Sequence, residues 1–409
     1  MALPNQDALA GIRVVDLSSR FSFYTAKLFA DMGADVVLIE PPGGCALRRE
    51  APFLGDRIDR ALGIPFNFYN TGKRGMILNL SSPRDAETLR SLAQHADLII
   101  EDGPPGALQQ LDLGFERLAE QNPRLVMTSL TPFGQTGPYA QLPATDLTLL
   151  ALGGLLNMMG YPDGPPTQTH GNQAVAIGCM FASVGSMIAL TAAQADGIGQ
   201  RVDVSIQESV TMATENAAQF YNLAGTTRKR FAGEQRHAGT GVFACSDGFI
   251  YLFAGGMAGA RFWANLVTWL REENVPGHEE LTGARWLDIS FMDGPEAKAI
   301  FNRVFPPFCA RWRKDDIYHE AQRRQIPLCP VNDARDVFNN AQLQARGMFV
   351  GVPHEVFGAD ITMPNVPFSM SASPGRLHHR APLPGEHQDS VLTDWQGAAV
   401  QGRDTGADR

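Results

Sequence analysis

The chain has 409 residues, 44% of them hydrophobic and 19% charged, and a formal net charge of −9. This length calls for more than one domain, and the composition belongs to a folded globular protein, not a disordered one. The acidic balance excludes a sequence-blind nucleic-acid binder, which needs concentrated Lys and Arg, but it leaves room for an anionic ligand held by a few local cations.

The first 200 residues alternate strand-like and helix-like segments. The β-branched run at 12–17 reads as a buried strand, residues 24–33 as a helix ended by Gly33, and 35–40 as a second strand. Residues 76–80 read as a strand. The helical period over 82–95, with Ser82 at its N-cap, is followed by strands at 97–101 and 125–129. Residues 176–195 form a long helix of apolar and small residues, expected to be buried, which Gly197 stops before a strand at 201–206. This rhythm predicts an α/β fold with a largely parallel sheet and helices on both faces. Beyond residue 222 the texture changes. The polar stretch 224–241, basic at Arg228-Lys229-Arg230, reads as a linker. Residues 225–325, with aromatic helices around Trp263, Trp269 and Trp312, form a candidate second, α+β domain. Residues 326–409 lead back to the first domain, which begins as residues 1–224, and end in a tail, 401–409, with the composition of disorder.

Apolar stretches are broken by Asn, Gly or Gln before spanning length, so no membrane segment is expected. Residues 1–7 carry neither a basic nor an apolar leader region, so no signal peptide is expected either. Cys45, Cys179, Cys245, Cys309 and Cys329 form no CxxC pair and have no His at ligand spacing. Inert thiols, no metal site and a cytoplasmic location follow. The opening strand suggests a nicotinamide enzyme, but Ser18-Ser19-Arg20-Phe21-Ser22 has no glycine where a phosphate turn needs one.

Several stretches in order carry a resemblance. They include Leu9–Leu17, Ala30–Gly44, Asn70-Thr71-Gly72-Lys73-Arg74, Phe133–Pro138, Pro162–Pro166, Gly199–Asp203, Val331-Asn332-Asp333, Gln344–Met348 and Pro384-Gly385-Glu386-His387. Together they resemble the family III CoA-transferases. The resemblance implies a Rossmann-like large domain, a small domain and an interlocked dimer threaded through segments 205–241 and 326–345. It also implies a coenzyme A thioester as substrate, with no permanently bound cofactor. In that family an Asp attacks the thioester and a mixed anhydride forms.

Here the resemblance breaks at one point. The family's Asp falls at or near Val175, or at Gln173 or Asn172 with a small shift, and no Asp or Glu lies between Asp163 and Asp196. None of these three residues is a nucleophile. Ser22-Phe23-Tyr24 replaces small family residues with bulky ones, and Asp102-Gly103 puts a negative charge where anionic CoA would lie. Pro41, Gln110 and Thr131 stand where basic residues often occur. Arg48, Arg49 and Lys73 are either phosphate partners or solvated surface charges. Asp146 and Glu208 favour helix caps or buried ion pairs over relocated nucleophiles. His170 and His237 favour loop surface over general bases.

The expected function is therefore the nucleophile-lacking subunit of a heteromeric CoA-transferase, of the benzylsuccinate type, with a paralogous Asp-containing subunit as partner. The alternatives are an active homodimer with a displaced carboxylate, or a CoA-binding or structural protein without catalysis.

Overall fold

The protein is described from a computed structural model that covers residues 7–230, 235–256 and 259–397. The expected tail 401–409 lies outside the described residues. The chain forms two compact units: one takes residues up to Leu155, Thr169–Ala218 and everything from Ala341, and the other takes Leu156–Gln168 and Gln219–Asn340.

The first unit is built on six strands: β1 (Arg13–Leu17), β2 (Asp35–Glu40), β3 (Arg74–Ile77), β4 (Leu98–Glu101), β5 (Val126–Thr131) and β6 (Arg201–Ser205). Their order is β3-β2-β1-β4-β5-β6, and every pairing is parallel. Parallel strands need helical crossovers, which cover both faces and favour apolar runs such as Val36–Ile39 and Leu98–Ile100, whereas β6 at the sheet edge alternates as Arg201-Val202-Asp203-Val204. Val14, Val36, Leu98, Ile100 and Val126 face one layer, made by the helices Phe23–Asp31 and Gln173–Asp196 through Ala26, Phe29, Ala189 and Ala193. Val15, Val37, Ile39, Ile99 and Met127 face the other, where the helices Pro83–Ala93 and Gln388–Gly397 supply Leu89, Leu92, Val391 and Trp395. The C-terminal part also forms a hairpin of β10 (Phe349–His354) and β11 (Ala359–Pro364), following the three strands of the second unit.

The long helix departs from expectation twice. It is not fully buried: Met180, Phe181, Val184 and Ile188 are 52%, 43%, 57% and 66% exposed. It is also, by length and composition, long and apolar enough to cross a membrane, because glycines dilute an apolar helix without breaking it. One side packs closely on its neighbours; a Cβ at Gly178 would meet Ile206 at 2.9 Å. The opposite side is apolar and open.

In the second unit β7 (Thr240–Cys245), β8 (Gly248–Phe253) and β9 (Leu328–Val331) form an antiparallel sheet. The helices Ala260–Glu272 and Pro295–Cys309 pack an aromatic core on it, with Trp263 and Trp286 stacked at 4.7 Å.

Candidate functional site

In a doubly wound sheet, ligands bind beyond the carboxyl ends of the strands, near the point where strand order reverses. Here that point lies between β1 and β4. A cavity of about 390 Å³ opens at the carboxyl ends of β1, β2 and β3, on one side of that point, lined by Leu17, Ser18, Ser19, Ile39, Pro41 and Asn79 among others.

Three carboxylates stand at or next to the carboxyl ends of the central strands: Asp16 one residue before the end of β1, Glu40 at the end of β2, and Asp102 just after β4. Asp16 is fully buried and pairs with Lys73 Nζ at 2.8 Å. Lys73 also donates to Asn70 Oδ1 at 2.9 Å and to the Phe23 carbonyl at 3.1 Å, so all three of its protons are used. Glu40, ending β2, takes a two-pronged pair from Arg48, Nε to Oε2 and Nη2 to Oε1, each at 2.7 Å. Burial pushes the Glu40 carboxyl up, but the Arg48 bonds and charge, with the Cys45 N–H, outweigh it and hold it below the usual range. Arg48 stacks 3.7 Å over the Phe66 ring and donates to the Pro382 carbonyl at 2.7 Å. Neither Arg48 nor Lys73 is a solvated surface charge: both are at 0% exposure with a carboxylate partner. Arg49 is exposed and donates to the Gly43 carbonyl at 3.3 Å, which Arg60 also reaches at 3.0 Å.

Asp102 follows β4 and turns back toward β1. Its Oδ1 accepts the Ser19 N–H at 2.8 Å and the Ser19 hydroxyl at 2.6 Å. Its Oδ2 accepts the N–H groups of Arg20, Phe21 and Ser22 at 2.9, 2.6 and 2.9 Å, and the Ser22 hydroxyl at 3.2 Å. Ser22 Oγ lies 2.7 Å from Ser18 Oγ, which also bonds Asp16. One buried chain thus runs from Lys73 through Asp16 and two serines to Asp102. Phe23 is buried with Leu38, Cys45, Leu47 and Phe66. Tyr24 packs against Phe68 and Tyr69, and burial pushes its hydroxyl pKa up.

The degenerate segment starts the long helix. Asn172 is its N-cap residue without a side-chain cap bond, and Gln173 donates to the His170 carbonyl at 3.1 Å. The half-buried Val175 donates its N–H to Asp146 Oδ1 at 3.0 Å. Asp146 thus caps this helix from outside, as its sequence reading favoured. Burial pushes its carboxyl up, against the N–H groups of Val175, Ala174 and Gln173. Its Oδ2 is buried without a hydrogen-bond partner among the described residues.

Glu208 is exposed in the first turn of Ile206–Ala213, and His170 is exposed. His237 is not loop surface: it is 5% exposed and bonded to Asp293 in the second unit. Arg228 stacks over Phe220 at 3.8 Å, and Arg230 donates to the Tyr161, Asn157 and Gly164 carbonyls. Gln110 is exposed, and the buried Thr131 Oγ1 has no partner among the described residues. Sequence reasoning missed the Asp146–Val175 contact, for which the only signal was an acidic residue after Thr145 at a helix start.

The CoA-transferase family III model matches residues 9–388. The chain is 38% identical to the succinyl-CoA:(R)-benzylsuccinate CoA-transferase subunit BbsE of Thauera aromatica, over 93% of each chain. It is 30% identical to the succinyl-CoA–L-malate CoA-transferase beta subunit of Chloroflexus aurantiacus, over 95% of this chain and 94% of that one. Among solved structures, a CAIB/BAIF family protein from Brucella suis superposes with a TM-score of 0.84 at 25% identity, covering 95% of this chain and all of that one. With the sheet order, the ends of its strands and a match over nearly its whole length, the chain belongs to CoA-transferase family III.

Proposed function

We propose that this chain is the nucleophile-lacking subunit of a heteromeric CoA-transferase, acting in the cytoplasm, that moves CoA from succinyl-CoA to an aryl-substituted succinate. A paralogous subunit supplies the attacking aspartate. The carrying observation is the start of the long helix: no Asp or Glu lies between Asp163 and Asp196, and the carboxylate bonded at Val175 is that of Asp146, engaged as a cap. The names of two relatives support the heteromer, since each is a subunit. So does the apolar open side of the helix Gln173–Asp196, because large exposed apolar patches mark association surfaces.

In this reading the partner's carboxylate attacks the succinyl thioester, the CoA thiolate leaves, and a mixed anhydride forms. The thiolate then attacks the enzyme-side carbonyl and releases succinate, leaving an enzyme thioester. The acceptor carboxylate attacks that thioester, and the freed CoA takes the acceptor's acyl group, restoring the aspartate. Of the three basic candidates, Arg49 is the one left to meet a CoA phosphate, because Arg48 and Lys73 already serve Glu40 and Asp16.

The test is to express the chain alone and with its genomic neighbour and to assay succinyl-CoA-dependent transfer to benzylsuccinate. Activity is expected only for the pair, with hydroxylamine trapping a modified aspartate on the partner. Full activity from this chain alone, with a modified Asp or Glu of its own, would instead make it a homodimeric enzyme with a displaced carboxylate.

A further inference from the structure

We propose that Asp102 is a resident anion: its carboxylate occupies the turn between β1 and the helix Phe23–Asp31 as a bound oxyanion would, and so closes that turn to anionic ligands. This inference does not depend on the heteromeric reading.

Four consecutive backbone N–H groups, from Ser19 to Ser22, converge on the two Asp102 oxygens, and two serine hydroxyls complete the set. Successive N–H groups turned to one point form a concave anion site, and a helix N-terminus behind them adds a favourable dipole. The helix behind this one has nine residues, and Ser22 supplies no side-chain cap to it. Asp102 is 5% exposed, and among the described residues no Lys, Arg or His forms an ion pair with it. Dipoles alone meet its charge. The donor set thus has the form of an oxyanion site whose occupant arrives from the end of β4, across the point where strand order reverses. A phosphate or ligand carboxylate cannot enter without displacing a covalently tethered competitor.

The experiment removes the tether and offers a free anion. The variants Asp102→Gly and Asp102→Ser are melted in sodium formate, sodium phosphate and sodium chloride at matched ionic strength, followed by circular dichroism, and formate binding is measured by calorimetry. The wild-type chain is expected to melt at one temperature in all three salts. Each variant melts lower in chloride and gains a saturable roughly 2–4 °C in formate. A variant that folds in formate but not in chloride supports the proposal equally. It is overturned if the variants fold yet respond to formate and phosphate no more than to chloride. It is also overturned if the wild type shows the same saturable rise, or if neither variant folds even in formate.

Discussion

Lys73 Nζ lies 2.8 Å from Asp16 Oδ2, with both side chains fully buried. A buried pair whose partner is deleted leaves an uncompensated charge, which typically costs about 3–5 kcal/mol. Lys73→Met is expected to lose that much by urea denaturation. The double variant Asp16→Leu with Lys73→Met should lose clearly less than the sum of the two single changes. Additive losses would mean that the two groups do not act as a pair.

His354 and His387 place a sign on the pH response. His354 donates from Nε2 to Asn67 Oδ1 at 3.1 Å and accepts the Phe357 N–H on Nδ1 at 3.2 Å, an arrangement that only a neutral ring satisfies. His387 Nδ1 accepts the Gly75 N–H at 3.2 Å. Burial holds both rings below the ordinary 6.5. A base whose folded pKa is depressed contributes stability that is complete above its unfolded pKa and is lost as pH falls. Glu386 works in the same direction in a lower window: hydrogen bonds from Arg380 hold its carboxyl at about 2, against an ordinary 4.5. The melting temperature is therefore expected to fall first below about pH 6.5 and again between about pH 4.5 and 2. His354→Gln should flatten the first fall, and Glu386→Gln the second. A melting temperature that rises on acidification would contradict both assignments.

The strands near 12–17, 35–40 and 97–101 were readable because parallel strands covered on both faces need apolar runs, while β5 and β6, with Thr128, Ser129, Arg201 and Asp203, carry shorter ones. β3 lies two residues earlier than expected, since it starts at Arg74, whose guanidinium bonds Asp35 on β2. No apolar pattern announces that contact. The partners of Arg48 and Lys73 were invisible for a related reason. Glu40 and Asp16 are brought to them by the sheet, 8 and 57 residues away in the chain. The open side of the long helix could not be separated from its core side, because Met180, Val184 and Ile188 are as apolar as the residues that pack on β5.

That face yields an assembly prediction. Ile188→Glu and Val184→Glu alter residues that are 66% and 57% exposed, so the isolated chain should change in stability by no more than about 0.5 kcal/mol. If this face seats the paralogous subunit proposed above, a charge placed at its apolar centre should nevertheless abolish co-elution of the two chains on size exclusion. Unaltered co-elution would move the interface elsewhere.

Val175→Asp places a carboxylate at the start of the long helix, beside one already there. The helix N-terminus favours the new negative charge, but Asp146 Oδ1 lies 3.0 Å from the backbone nitrogen of the same residue, and like charges so close raise each other's pKa. Repulsion in the folded state means that stability is lost when both groups are ionised and regained as pH falls and one takes a proton. The variant should therefore melt below the wild type at pH 7, with a deficit that narrows toward pH 5. Adding Asp146→Asn should close that deficit at pH 7. With succinyl-CoA the single variant is expected to form no hydroxylamine-sensitive acyl-enzyme, because Asp102 still fills the anion turn between β1 and the helix Phe23–Asp31. An acyl-enzyme at position 175 would show that one side chain alone keeps this chain from forming that intermediate.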